Sequence, residues 1–116
     1  MKQHPTFTVT IYCGLKENHD GIQHDISEAK EVLQKYCDCV GFCVTIKPTH
    51  FIYTNGNEDG IEVGLINYPR FPKEEVTKLD EATQIAKLLL LTFNQKRVNI
   101  VYRSQTIMIE RSDCDN

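Results

Sequence analysis

Residues 42–66 read FCVTIKPTHFIYTNGNEDGIEVGLI, and this stretch decides the fold. Phe42, Val44 and Ile46 recur at every second position, the spacing of a strand that buries one face. At Pro48 the pattern breaks, and the apolar residues move to odd positions at Phe51 and Tyr53. A change of parity reads as one extra residue, and a proline, which has no N–H for the ladder, suits such a bulge in an edge strand. We expect an edge strand kinked between Lys47 and Thr49. Asn55 to Gly60 is turn chemistry throughout. Ile61, Val63 and Leu65 then form the returning strand, with Tyr53 expected opposite Ile61 and Phe51 opposite Val63.

Upstream, Phe7, Val9 and Ile11 alternate with Thr8, Thr10 and Tyr12 as a strand that ends at Gly14. A polar loop runs from Gly14 to His24. Asp25 stands three residues before Glu28, the spacing of a capping box, and Ile26, Ala29, Leu33, Tyr36 and Val40 follow at helical intervals to a stop at Gly41. Downstream, Tyr68-Pro69-Arg70-Phe71-Pro72 ends the third strand and leads into a helix from about Lys73 to Phe93. Val76, Leu79, Ala82, Ala86, Leu89 and Phe93 trace its buried face. Ile85 and the run Leu88 to Leu91 make its second half apolar around most of the circumference, which predicts cover by extra chain or by a second subunit. Arg97 to Arg103 and Thr106 to Glu110 read as two further strands, and 111–116 as a frayed tail.

The order strand-helix-strand-strand-helix-strand predicts an α+β, ferredoxin-like βαββαβ antiparallel sheet with both helices on one face and an extra C-terminal strand, in one domain over 1–116. The other face of the sheet is expected to carry Thr8, Thr10, Tyr12, Glu62, Gly64, Ile66, Asn99, Val101 and Arg103. Composition agrees with a globular protein: 116 residues, 41% hydrophobic, 25% charged, net charge −3. These values exclude a second domain and a membrane span, and they remove the positive field that non-specific nucleic-acid binding needs. Five cysteines at irregular spacings predict reduced thiols rather than a disulfide framework. With no signal-peptide pattern and no lipidation motif, the expected location is cytoplasmic.

Chemistry is harder to read. Ile11 to Leu15 loosely resembles the first motif of RNA-recognition domains, but residues 59–66 carry acids and aliphatics where such domains place a base and stacking rings, so RNA binding is disfavoured. Cys37, Cys39, Cys43 and His50 have the text of a zinc site, yet a strand between Cys43 and His50 would hold them on the order of 20 Å apart. A metal or redox sensor built on Cys37, Cys39 and Cys43 is kept as an alternative, with no metal or other cofactor expected. His19, His24 and His50, with Glu58 or Asp59, supply the groups for a small hydrolase or isomerase, a second alternative. Acids at both helix starts argue against a phosphate cradle. Lys16, Arg103 and the trio Tyr68, Arg70 and Phe71 are the remaining candidates for binding a ligand or partner.

Tyr12-Cys13-Gly14-Leu15-Lys16, Gly21 and Gln23, Gly56 and Gly60, and Asn94-Gln95 together resemble an uncharacterised group of short ferredoxin-like proteins encoded by phages and bacteria. The resemblance spans Phe7 to Tyr102 and supplies no catalytic residues. It implies a phage or mobile-element setting, in which small acidic domains act by binding. The resulting expectation is a non-enzymatic binding module, an inhibitor of a host protein or a sponge for a small nucleotide signal directed against host defence. It is expected to be a homodimer through the open sheet face or through Leu88 and Leu91.

Overall fold

In the computed structural model, residues 45–66 do form a hairpin with its first strand at the sheet edge, but with a different register and no bulge. The structure describes residues 1, 3, 7–17, 21–66 and 75–114, with the backbone alone at 75 and 76. The elements are β1 (Thr8–Gly14), α1 (Ile26–Val40), β2 (Thr45–Tyr53), β3 (Gly56–Ile66), α2 (Glu75–Thr92), β4 (Arg97–Tyr102) and β5 (Gln105–Glu110), followed by a 3-10 turn at Arg111–Cys114. The strands form one sheet in the order β2-β3-β1-β4-β5, all antiparallel. This is the expected ferredoxin-like order with β5 added beside β4.

The β2–β3 ladder runs unbroken from Thr45 opposite Gly64 to Tyr53 opposite Gly56, and Pro48 sits opposite Ile61 within it. Phe51 pairs with Glu58, not Val63. The parity change has a different cause from a bulge. Ile46 faces the helices with Val63, whereas Phe51 and Tyr53 lie on the opposite face of the sheet with Glu58 and Gly56. One strand serves two faces. The hairpin closes at Thr54 and Asn55, the latter left-handed at φ 62°, so residues 56–60 belong to β3 and not to a turn. A backbone ladder needs no apolar side chains, which is why the polar stretch concealed the strand.

The helix-covered face is the core. Val9, Ile11 and Cys13 of β1, Ile61, Val63 and Leu65 of β3, and Val98 and Ile100 of β4 pack against Ala29 and Leu33 of α1 and Ala82, Ile85, Ala86, Leu89 and Leu90 of α2. α1 begins as predicted: the Glu28 carboxylate accepts the Asp25 backbone N–H at 2.7 Å, and Gly41, left-handed at φ 67°, ends it. The second half of α2 is covered by its own chain, with Ile85, Leu89 and Leu90 fully buried, while Leu88 is half-buried and Leu91 is 55% exposed. The buried Lys78 ties α2 to the end of β3 through the Ile66 carbonyl and stands 4.6 Å over the Phe42 ring. The tail is not frayed through Cys114: Asp113 accepts the Glu110 N–H at 2.8 Å, and Arg111 bonds to Asn94. No helix among the described residues is long and apolar enough to cross a membrane.

Candidate functional site: a cavity on the open sheet face

Side chains alternate along a strand, so burying Val9, Ile11 and Cys13 sends Thr8, Thr10 and Tyr12 to the face without helices. There Tyr12 meets Glu62 and Asn99, and Thr10 meets Gly64 and Val101, as expected. At one end of this face lies a cavity of about 420 Å³ lined by Tyr12, Gly14, Lys16, Phe51, Tyr53, Glu58, Gln95, Lys96, Arg97 and Asn99. Glycine makes its floor. Gly14 of β1 pairs with Gly60 of β3, and a Cβ at Gly60 would lie 2.2 Å from the Phe51 ring. A Cβ at Gly56 would lie 2.4 Å from the Tyr53 ring. Two missing side chains on β3 thus let the two β2 rings lie across the sheet surface.

The polar lining is arranged by the end of α2. Asn94 is left-handed at φ 50°, and the Gln95 N–H returns to the Leu90 carbonyl at 2.9 Å, closing the helix and turning residues 95–97 toward the cavity. Gln95 is buried, and its amide donates to the carbonyls of Lys16 and Phe93, both at 3.0 Å. Glu58 is the one carboxylate among the lining residues, set against Lys16, Lys96 and Arg97. Behind the floor, burial and the nearby Glu58 charge push the Cys13 thiol up to about 12. It stays protonated, donates to the Gly14 carbonyl at 3.2 Å, and is no nucleophile.

A second cluster braces the rim. His24 Nε2 lies 2.6 Å from Glu17 and Nδ1 3.3 Å from Glu28, while the other Glu17 oxygen accepts from Asn94 at 2.8 Å. The His24 ring also packs on Phe93, with centroids 5.1 Å apart. Partial burial opposes charge on His24, but the hydrogen bonds to Glu17 and Glu28 outweigh it and its pKa is raised. Glu17 is lowered by Asn94 and by His24. This cluster ties the loop after β1, at Glu17, to Asn94 at the end of α2, next to Gln95.

Of the expected site residues, Lys16 and Glu58 line the cavity. His24 belongs to the brace. His50 bonds to Asp59 at 2.7 Å and Asn57 at 3.0 Å, and the strand register puts it on the face opposite Phe51 and Glu58. Neither of these two histidines lines the cavity, so among the described residues no histidine shares a cleft with Glu58. Arg103 follows Tyr102, which pairs with Val9; at about 3.3 Å per residue it is on the order of 15 Å from Gly14, at the other end of the sheet. His19, Tyr68, Arg70 and Phe71 lie outside the described residues. Leu88 and Leu91, on α2, lie across the sheet from the cavity. None of the five cysteines is in a disulfide, and among the described residues no group of three or more His, Cys, Asp or Glu could hold a metal ion, so Cys37, Cys39 and Cys43 do not form one. Sequence reasoning missed the contributions of Phe51, Tyr53, Gln95, Lys96, Arg97 and Asn99. The signal was Phe51-x-Tyr53 facing Gly56-x-Glu58-x-Gly60.

No protein-family model matches the chain, and no curated protein matches it in sequence. Two solved structures share its fold. A phage SAM lyase in complex with S-methyl-5'-thioadenosine superposes with a TM-score of 0.75 at 15% identity, over 97% of this chain and 96% of that one. A phage SAM lyase in the apo state gives 0.70 at 16% identity, over 90% and 88%. The weak resemblance to small phage proteins therefore has a counterpart in structure. The expectation of a non-enzymatic binding module, inhibitor or nucleotide sponge is overturned by the same finding: the chains that share this architecture almost end to end are those of a lyase, one of them holding a nucleoside.

Proposed function

We propose that this chain is a lyase that cleaves S-adenosylmethionine (SAM) to S-methyl-5'-thioadenosine in the cavity at the end of the open sheet face. The observation that carries this reading is the match between the cavity lining and the parts of that substrate, in a fold shared with a SAM lyase. SAM combines an aromatic base, a sulfonium, an ammonium and a carboxylate. Phe51, Tyr53 and Tyr12 offer ring faces for the base and the sulfonium. Asn99 offers an amide for the edge of the base, Glu58 a negative charge, and Lys16, Lys96 and Arg97 positive ones.

The chemistry asks little of acids and bases. To release methylthioadenosine, the bond between sulfur and the γ-carbon of the amino-acid tail must break, with its electron pair returning to sulfur. The tail's own carboxylate oxygen can form the new bond to the γ-carbon, giving a five-membered lactone. No proton moves and no water is consumed. Charge is neutralised as the sulfonium becomes a thioether, so a site less wet than bulk solvent favours the step. The protein's part is to fold the tail back on itself, an effect of proximity and orientation. Among the described residues the cavity is lined by no histidine and no reactive cysteine, which suits that reaction.

The test is to incubate the purified protein with SAM and follow products by chromatography and mass spectrometry. Methylthioadenosine should appear together with an equimolar four-carbon lactone. No release above spontaneous breakdown, or homoserine formed with no lactone before it, would overturn the reading. We place such an enzyme in the cytoplasm, where SAM is made. The homodimer keeps as its support the exposed Leu91 beside the half-buried Leu88. Sedimentation at micromolar concentration tests it, a monomer being the outcome against it.

A further inference from the structure

Gln95 is the least conspicuous residue of the cavity and the most constrained. Its side-chain amide has two N–H donors and one carbonyl acceptor. Both donor contacts run from the amide nitrogen to backbone carbonyls, those of Lys16 and Phe93 at 3.0 Å each. A carbonyl cannot donate to a carbonyl, so the amide cannot flip, and Oε1 must point the other way. That way lies the floor glycine: a Cβ on Gly14 would sit 2.9 Å from Gln95 Oε1 and 3.2 Å from Glu58 Oε1. Two acceptors, one of them a carboxylate, converge over the one position of β1 where there is no side chain to separate them.

We propose that Gln95 Oε1 and the Glu58 carboxylate form the seat for the α-ammonium of the substrate's amino-acid tail, which makes Gln95 a specificity-determining residue. The inference rests on the SAM-cleaving reading and extends it. Between the two cations of SAM the seat selects the ammonium, because its three N–H donors can satisfy two hydrogen-bond acceptors. The sulfonium has no donor and suits the ring faces instead. Seating the ammonium leaves the neighbouring carboxylate on the side of Lys16, Lys96 and Arg97. The brace of His24, Glu17 and Asn94 then acts on the tail indirectly, since Glu17 and Asn94 adjoin Lys16 and Phe93, whose carbonyls hold the Gln95 amide.

Two analogues that cannot form the lactone test this by calorimetric binding. Decarboxylated SAM keeps the ammonium and the sulfonium. 5'-Dimethylsulfonio-5'-deoxyadenosine keeps only the sulfonium. The wild-type protein should bind the first about ten-fold or more tighter, the range of a charged hydrogen-bonded contact. In Gln95→Leu that preference should fall toward one, with affinity for the second analogue retained. Because Gln95→Leu also strips partners from two carbonyls, Gly14→Ala is the second variant. Its methyl group would press on both acceptors, 2.9 Å from Gln95 Oε1 and 3.2 Å from Glu58 Oε1, while leaving both N–H donors of the Gln95 amide in place, and the same loss of preference is expected, with circular dichroism confirming the fold of each. Equal binding of the two analogues by the wild type, or an unchanged preference in a folded variant, overturns the assignment. Failure of the wild type to release methylthioadenosine from SAM would instead count against the lyase reading, so the two failures are distinguishable.

Discussion

The two faces of this sheet are made by the same strands and obey different rules. On the helix-covered face Val9, Ile11 and Cys13 of β1, Ile61, Val63 and Leu65 of β3, and Val98 and Ile100 of β4 are fully or almost fully buried, and each is replaceable in kind by another of similar volume. On the open face the side chains are mixed, and what matters at the cavity is where they are missing. Gly14, Gly56 and Gly60 give room to Glu58, Gln95 and two rings. One face is defined by filling space and the other by leaving it. The difference teaches that stability and proposed activity are carried on opposite sides of a layer one residue thick.

The largest effect that can test this division is Leu89→Ala on α2. Leu89 is fully buried, and its loss should cost about 2–5 kcal/mol of stability in urea unfolding. Activity per folded molecule should hold, and a folded but inactive variant would break the division. Glu58→Gln is the converse: methylthioadenosine release should fall roughly hundred-fold, the scale of losing one preorganised charge at a reacting site, with stability moved by less than about 1 kcal/mol. Gly60→Ala joins the faces. Its methyl group would press on the Phe51 ring at 2.2 Å and the Cys13 carbonyl at 2.7 Å, so a loss of about 1–3 kcal/mol is expected together with weaker nucleoside binding.

The smallest effect is at the brace. His24 has a raised pKa in the fold, so its ionic contribution is complete below its usual value of 6.5 and is lost as the pH climbs through the raised one. Glu17 is lowered, so its contribution is complete above 4.5 and is lost as the pH falls through the lowered value. The Tm advantage of the wild type over His24→Asn should therefore be greatest between pH 4.5 and 6.5 and shrink on both sides. A difference in Tm that does not change with pH would mean that the ring acts only by packing on Phe93.

What could be read in advance follows from how local each signal is. Asp25, Glu28 and Gly41 mark the ends of α1 through contacts within one turn, and both ends are where those residues put them. The strand order followed from the alternation of elements and from Pro48, which belongs on an edge. The open-face residues of β1 and β4 followed from parity alone. A parity change has two causes, an inserted residue or a strand whose buried face changes, and β2 is the second. Only the neighbours of Phe51 and Tyr53 distinguish them. Residues 56–60 read as a turn because glycine and acids favour turns, although here the glycines make space for rings across a ladder. The apolar second half of α2 suggested a partner, and its own sheet and β5 cover most of it.

The layer order, the ends of α1 and the core face of each strand were legible in the residues themselves, because periodicity and capping depend on neighbours within a few positions. Only the tertiary structure decided the site. Tyr12, Phe51, Glu58 and Gln95 come from three strands and the end of a helix, and no local pattern relates them. They meet because β1 pairs with both β3 and β4, and because Gln95 has two carbonyls that hold its amide in one orientation.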